Sequence, residues 1–265
     1  MVPEMLKEGV VQLEKDGEIA IATLNNPPLN VLDDIVSQEL SEVCQLIEEN
    51  LEVTVVVIKG NEKAFMAGAD IKVFPEFIER SEKAFLSSRK NNKIFSRLEN
   101  LSQPVIAALE GHALGGGCEL ALACDFRIAG EGLQIGLPEI KLGLFPGAGG
   151  TQRLPRLIGI AKAKKMIMLG DSLSAQEAFQ VGLVDKVTPS GEAYRETMNL
   201  ARELASRPGA ALEMIKSLVD RGSEMDLEQG LYWESVLIGR VFKTEDIKEG
   251  VDAFLNKRKP SFKHL

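Results

Sequence analysis

Cysteine, histidine and aromatic side chains are all scarce in this chain of 265 residues. Cys44, Cys118 and Cys124 are the only cysteines, an odd number at spacings that match neither a disulfide framework nor a zinc knuckle. With His112 and His264 the only histidines, no cluster of imidazole and thiolate ligands is available, so no metal is expected. Free thiols fit a reducing interior. No run of 18 uncharged apolar residues occurs, and the opening MVPEMLKEG has no basic stretch followed by an apolar one, so neither a membrane span nor a secretory leader is expected and the cytoplasm is favoured. Positive charge is in deficit as well. The 31 lysines and arginines against 39 acids leave a net charge of −8, which repels a polyphosphate backbone, and nucleic acid is not expected as a partner.

What is present reads as one folded body. Apolar residues make up 45% and charged residues 26%, near ordinary globular usage, which argues against a disordered chain. The length exceeds the common single-domain size without requiring two independent cores. Apolar runs at Val10 to Leu13 and Ile19 to Leu24 flank Asp16-Gly17, a dipeptide suited to a tight hairpin turn. An amphipathic stretch with Leu40, Val43 and Ile47 on one face follows, then the β-branched run Val53 to Ile58, of the kind buried in a parallel sheet. The rhythm recurs as a helical period from Ala84 to Leu98, a strand from Pro104 to Leu109, a glycine-rich entry to a helix through Ala123, and a strand from Asp125 to Ala129. From Ala161 onward strand signals nearly vanish, and stops at Gly170, Gly182, Pro208 and Gly222 punctuate helices. The expected division is an α/β core over 1–200 and a helical region over 201–265.

Three segments carry candidate chemistry. Ala67-Gly68-Ala69-Asp70 follows the Val53 to Ile58 strand, and its small residues allow a ligand to reach backbone N–H groups; the plainer reading is a turn capped by Asp70. Leu114-Gly115-Gly116-Gly117-Cys118-Glu119 joins a strand to a helix, so its N–H groups, with the positive end of the helix dipole behind them, favour a developing anion. It has neither the Lys-Ser/Thr of a P-loop nor the spacing of a dinucleotide fingerprint. Glu119 stands in the first turn, where a carboxylate also suits helix-end electrostatics. The helix continues Leu120-Ala121-Leu122-Ala123, apolar on nearly every side, and a carboxylate carried on a buried helix needs a reason to be there. Glu139 lies in a proline-bounded turn, Gly136-Leu137-Pro138-Glu139, ahead of the glycine-rich bend Pro146-Gly147-Ala148-Gly149-Gly150-Thr151. Whether it meets Glu119 is open from separation along the chain.

Taken in order, AGADI, ALGGGCELALACD and LPEIKLGLFPGAGGTQRL resemble the crotonase (enoyl-CoA hydratase/isomerase) superfamily, with the short-chain 2-enoyl-CoA hydratases most alike. The resemblance runs from the opening hairpin to the terminal KRKPSF. It implies a spiral of ββα units forming two roughly perpendicular sheets, with a helical C-terminal region that builds trimers, commonly stacked into hexamers. It implies a carbon–oxygen lyase that hydrates trans-2-enoyl-CoA to 3-hydroxyacyl-CoA by syn addition, needing no cofactor beyond the coenzyme A of its acyl-CoA substrate. By the same resemblance Ala69 and Gly116 supply the oxyanion-hole N–H groups, Glu119 acts as base and Glu139 as acid. Ala67, Gly68, Asp70, Ile71, Lys72 and Gly115 are placed along the bound CoA thioester, and Phe262 and Lys263 reach a neighbour's. A role in fatty-acid β-oxidation is the family's usual setting.

Two glutamates favour hydration over isomerisation, because isomerases of this kind usually keep only the second carboxylate. A 2,3-enoyl-CoA isomerase or a branched-chain hydratase remains the enzyme alternative, and an inactive scaffold paralogue the non-enzyme one. His112 stands where relatives frequently carry tyrosine and is read as a packed strand-end residue rather than a base. Leu231, Trp233, Val236 and Leu237 are read as core rather than trimer contacts.

Overall fold

The computed structural model describes residues 6, 8–50, 52–61 and 63–264. Its strands are β1 (Val11–Asp16), β2 (Ile19–Leu24), β3 (Val55–Lys59), β4 (Ala64–Met66), β5 (Val105–Leu109), β6 (His112–Leu114), β7 (Phe126–Gly130), β8 (Gln134–Gly136), β9 (Ser172–Ser174) and β10 (Lys186–Thr188). The hairpin forms where the Asp16-Gly17 turn directs it, with β1 antiparallel to β2 and Asp16 opposite Ile19. A six-stranded sheet runs β1-β2-β3-β5-β7-β10 and a four-stranded sheet β4-β6-β8-β9. All pairs beyond the hairpin in the first sheet are parallel, and β9 is antiparallel to β8 in the second.

The two sheets grow together. β3, β5 and β7 of the larger sheet each pass through a short turn into β4, β6 and β8 of the smaller one, and a helical segment follows each pair before the next begins. This is the expected ββα repetition. It places the end of every β4, β6 and β8 strand at one rim, where the candidate loops lie.

Near-continuous apolar runs are needed because the large sheet is covered on both faces. Successive side chains of β3 point to opposite sides: Val56 and Ile58 pack with Leu40, Val43 and Ile47 of the helix Asp34–Glu48, while Val55 and Val57 pack with Ile106, Met198 and Ala201. Met198 and Ala201 belong to the helix Ala193–Ala205, which crosses position 200 while lying on the sheet. β9 and β10, three residues each, were not expected after Ala161; too short for a hydrophobic period, they are defined by sheet pairing.

The last helices, Gly209–Gly222, Leu227–Val241 and Glu245–Leu255, bury little of their apolar surface. Leu237 is core, but Leu231 is 53% exposed, which corrects the core assignment for that residue. Its helix shows it to solvent along with Tyr232, Ile238 and Phe242. His112 is exposed at the start of β6 rather than packed, because only Ala113 of that strand faces inward.

Candidate active site

Ala67, Gly68 and Ala69 leave β4 and pair with the segment before the helix Asp34–Glu48. Leu32 forms a parallel bridge with Ala69, its N–H donating to Gly68 O (2.8 Å) and its carbonyl accepting from Asp70 N (3.0 Å). In such a bridge the partner flanked by both bonds uses neither of its own groups toward the strand, so the Ala69 N–H points to the other side. Asp70 then caps the turn Ile71–Val73, accepting from Lys72 N at 3.0 Å.

The second donor comes from the helix Gly116–Leu122. Its first N–H groups have no intrahelical acceptor, and among the described residues neither Gly116 N nor Ala69 N donates to any protein acceptor. The glycines there serve different ends. Gly115, at φ 53° and ψ −121°, takes a conformation that side chains resist. A Cβ on Gly117 would lie 1.9 Å from Met66 O, so the helix could not seat against β4 with any larger residue. At Gly116 a Cβ would lie 3.9 Å from Ala69 N and 3.0 Å from Leu32 Cδ2, which shows how closely the two donor segments approach.

Glu119 projects from this wholly buried helix and is itself 3% exposed. Its Oε1 accepts from Ala148 N (2.7 Å) and Gly150 N (2.8 Å) of the Pro146–Gly150 bend. A Cβ on Gly150 would lie 3.1 Å from that same oxygen, so the bend must be small to reach it. Burial pushes the Glu119 carboxyl above its ordinary range, opposed by the two N–H bonds and by the charge of Arg153. Its Oε2 takes no protein hydrogen bond among the described residues.

Glu139, in the 3-10 turn Pro138–Leu142, comes to the same place. A Cβ on Gly115 would sit 3.1 Å from Glu139 Oε1, and Oε2 is buried with no hydrogen-bond partner among the described residues. Desolvation, with the Glu119 charge adding to it and its own backbone N–H opposing, raises the Glu139 carboxyl to about 7. A carboxylic acid poised at neutral pH beside a second, doubly hydrogen-bonded carboxylate is an acid and base arrangement.

Both glutamates line one cleft of about 290 Å³ together with Ala67, Gly68, Ala69, Ile71, Gly115 and Gly116. Phe74, Phe77, Leu142 and Phe145 form its apolar walls. Of the residues singled out in sequence, Asp70 lines an adjoining cleft instead. Lys72 is exposed on the turn beside both. Phe262 and Lys263 do not line the cleft; they lie in the tail, where Lys263 N donates to Asp246 Oδ1 at 2.7 Å. Ala148 and Gly150 were missed as partners of Glu119, although the PGAGG bend was the signal that could have found them.

A fold whose rim brings together two unpaired N–H groups and two carboxylates is a constellation built for reactions that pass through an anion next to a carbonyl. The sequence model of the Enoyl-CoA hydratase/isomerase family matches residues 14–264, and the chain belongs to this family. It is 42% identical over 255 residues to the short-chain-enoyl-CoA hydratase of Clostridium acetobutylicum, covering 94% of this chain and 95% of that one. It is 38% identical over 260 residues to the crotonyl-CoA hydratase of Syntrophomonas wolfei, covering 97% and 99%. A crystal structure of an enoyl-CoA hydratase from Bacillus anthracis superposes with a TM-score of 0.92 at 39% identity, over 97% of this chain and all of that one. The crotonase-like fold expected from the motifs is thereby borne out.

Proposed function

We propose that the protein adds water across the C2–C3 double bond of a trans-2-enoyl-CoA thioester, giving the 3-hydroxyacyl-CoA. The observation that carries this reading is the meeting of Glu119 and Glu139 in one cleft with the unpaired N–H groups of Ala69 and Gly116. The thioester oxygen sits between those two donors, which stabilise the enolate as charge reaches it. Glu119 is the base: two backbone N–H groups hold Oε1, and Oε2 takes a proton from water as the water oxygen bonds to C3. Glu139, whose raised affinity for protons keeps a large fraction of it protonated near neutral pH, delivers a proton to C2. The π pair becomes the new C–H bond, the pair of carboxyl groups gains and loses one proton each, and solvent exchange resets them. Because no net electron transfer occurs, the side chains and the two amides suffice for each step.

The cleft also accounts for the substrate class. Backbone from Ala67 to Ile71 borders the CoA end with Gly115, Asp70 and Lys72 nearby, and the apolar wall of Phe74, Phe77 and Phe145 accepts the acyl chain. The exposed apolar faces of the C-terminal helices support a homotrimer, or a dimer of trimers, built by 201–265, in which Phe262 and Lys263 of one subunit reach the CoA of the next. A cytoplasmic setting and a role in fatty-acid β-oxidation complete the reading.

Hydration of crotonyl-CoA, followed as loss of the conjugated enoyl-thioester absorbance, tests it. Glu119→Gln and Glu139→Gln should each lower kcat at least about 100-fold. A wild-type protein that leaves crotonyl-CoA untouched while moving a 3-enoyl thioester into conjugation would replace hydration with isomerisation.

A further inference from the structure

The peptide unit between Gly147 and Ala148 is bonded at both ends. Its N–H donates to Glu119 Oε1 at 2.7 Å. Its carbonyl, Gly147 O, accepts from Ser88 Oγ at 2.6 Å and from Asn92 Nδ2 at 2.9 Å. Ser88 and Asn92 stand one turn apart on the helix Ser81–Glu99, so their side chains converge on a single acceptor. The second hydrogen of the Asn92 amide is engaged by Ser88 O at 3.0 Å, which fixes the rotamer. The two donors fill both lone pairs of this carbonyl. They polarise the peptide, and a polarised peptide has a more acidic N–H and binds a carboxylate more strongly. Asn92 does not line the cleft, whereas Ser88 and Gly147, the two residues its amide bonds, both do.

We infer that Asn92, together with Ser88, is a positioning residue for hydration: the two side chains hold the Gly147 carbonyl so that the Ala148 N–H on the same peptide is aimed at Glu119 Oε1. The inference rests on the reading of Glu119 as base. Charged and titratable groups facing Glu119 among the described residues are Glu139 from the 3-10 turn, Arg153 from the helix Gly150–Ile158 and Cys118 on its own helix. Arg153 is committed to Glu99 at 2.7 Å and to Ala148 O at 3.2 Å. Among the described residues none of these groups is hydrogen-bonded to the Asn92 amide.

The test compares Asn92→Leu, which keeps the branched shape and removes the amide, with Asn92→Gln, which keeps a donor. In Asn92→Leu, kcat for crotonyl-CoA should fall roughly 10-fold, with KM within about twofold, because a displaced base lowers the rate without weakening binding. The acidic limb of the kcat/KM profile should move up by roughly half a pH unit, because the ionised form of Glu119 loses part of its hydrogen bonding. Asn92→Gln should recover most of both effects. An Asn92→Leu protein that melts at a lower temperature yet keeps its kcat and acidic limb overturns the positioning role and leaves only anchorage. Glu119→Gln in the same assay separates the two levels. If it stays active, the two-carboxylate reading fails and the positioning role with it. If it is inactive while Asn92→Leu behaves as wild type, only the positioning role fails.

Discussion

Replacing Glu139 by glutamine should make the folded protein more stable and the enzyme nearly inactive. Between its ordinary value of 4.5 and about 7 in the folded chain, the Glu139 carboxyl binds its proton more tightly folded than unfolded. Below pH 4.5 it is protonated in both states and carries no penalty. As pH rises from 4.5 to about 7 the unfolded chain releases the proton first, so stability falls; above about 7 the loss is complete. At about 1.4 kcal/mol per pH unit, the full loss is about 3 kcal/mol. Glutamine escapes it but brings an amide into a site where Oε2 has no partner, which takes back about 1 kcal/mol. The net gain at pH 8 is therefore about 2 kcal/mol, a rise in Tm of roughly 4 °C for a chain of this size. Thermal unfolding of wild type and Glu139→Gln at pH 8 and at pH 4 reads it directly. Equal melting temperatures at pH 8, or an advantage that persists undiminished at pH 4, would refute the reasoning.

Two further substitutions probe the scaffold under the site. Gly117→Ala places a Cβ 1.9 Å from Met66 O, and since backbone must then move, urea unfolding should show a loss of about 2 kcal/mol or more and activity should fall with it. Arg127→Met removes a buried guanidinium that donates to Ala121 O, Cys124 O and Leu183 O. The stranded Cys124 and Leu183 carbonyls and the lost side-chain contact with Asp185 should lower the urea midpoint by the equivalent of about 3 kcal/mol.

How much of this was legible in the sequence depended on whether a feature is local. The hairpin was, because Asp16-Gly17 fixes the turn and the flanking alternation fixes the register. The helix over Asp34–Glu48 was, because Leu40, Val43 and Ile47 share one face. Glu119 declared itself by sitting on a helix with no polar side, and the structure shows that helix wholly buried. The meeting of Glu119 with Glu139 was not legible from the residues themselves, since it depends on β6 and β8 being neighbours in the second sheet. Ser88, Asn92 and Arg153 were passed over for a similar reason. On a helix pattern they are polar positions like any solvated ones, and only the loop packed over them brings Ser88 and Asn92 onto Gly147 O and Arg153 onto Ala148 O, in the bend whose N–H groups reach Glu119. Leu231 failed in the opposite sense, because an apolar residue at helical spacing looks the same whether it faces a core or open surface.

The helix Gly116–Leu122 explains why so much of the chain is given to holding a seven-residue element. A helix that short cannot rely on its own cooperativity, yet here its two ends do opposite things. At the C-terminal end the Arg127 guanidinium meets Ala121 O at 3.3 Å and, just past the helix, Cys124 O at 2.6 Å, so a cation sits where the dipole favours one. At the N-terminal end, among the described residues, neither the Gly116 N–H nor the neighbouring Ala69 N–H has a protein acceptor. A donor without a protein partner is of most value where an oxyanion forms. Tying the C-terminal end to Arg127 holds the helix in place without drawing on the Gly116 N–H at the other end. The close seat of Gly117 on Met66 O removes the remaining freedom to slide, and Glu119, carried by the same helix, inherits that fixed position.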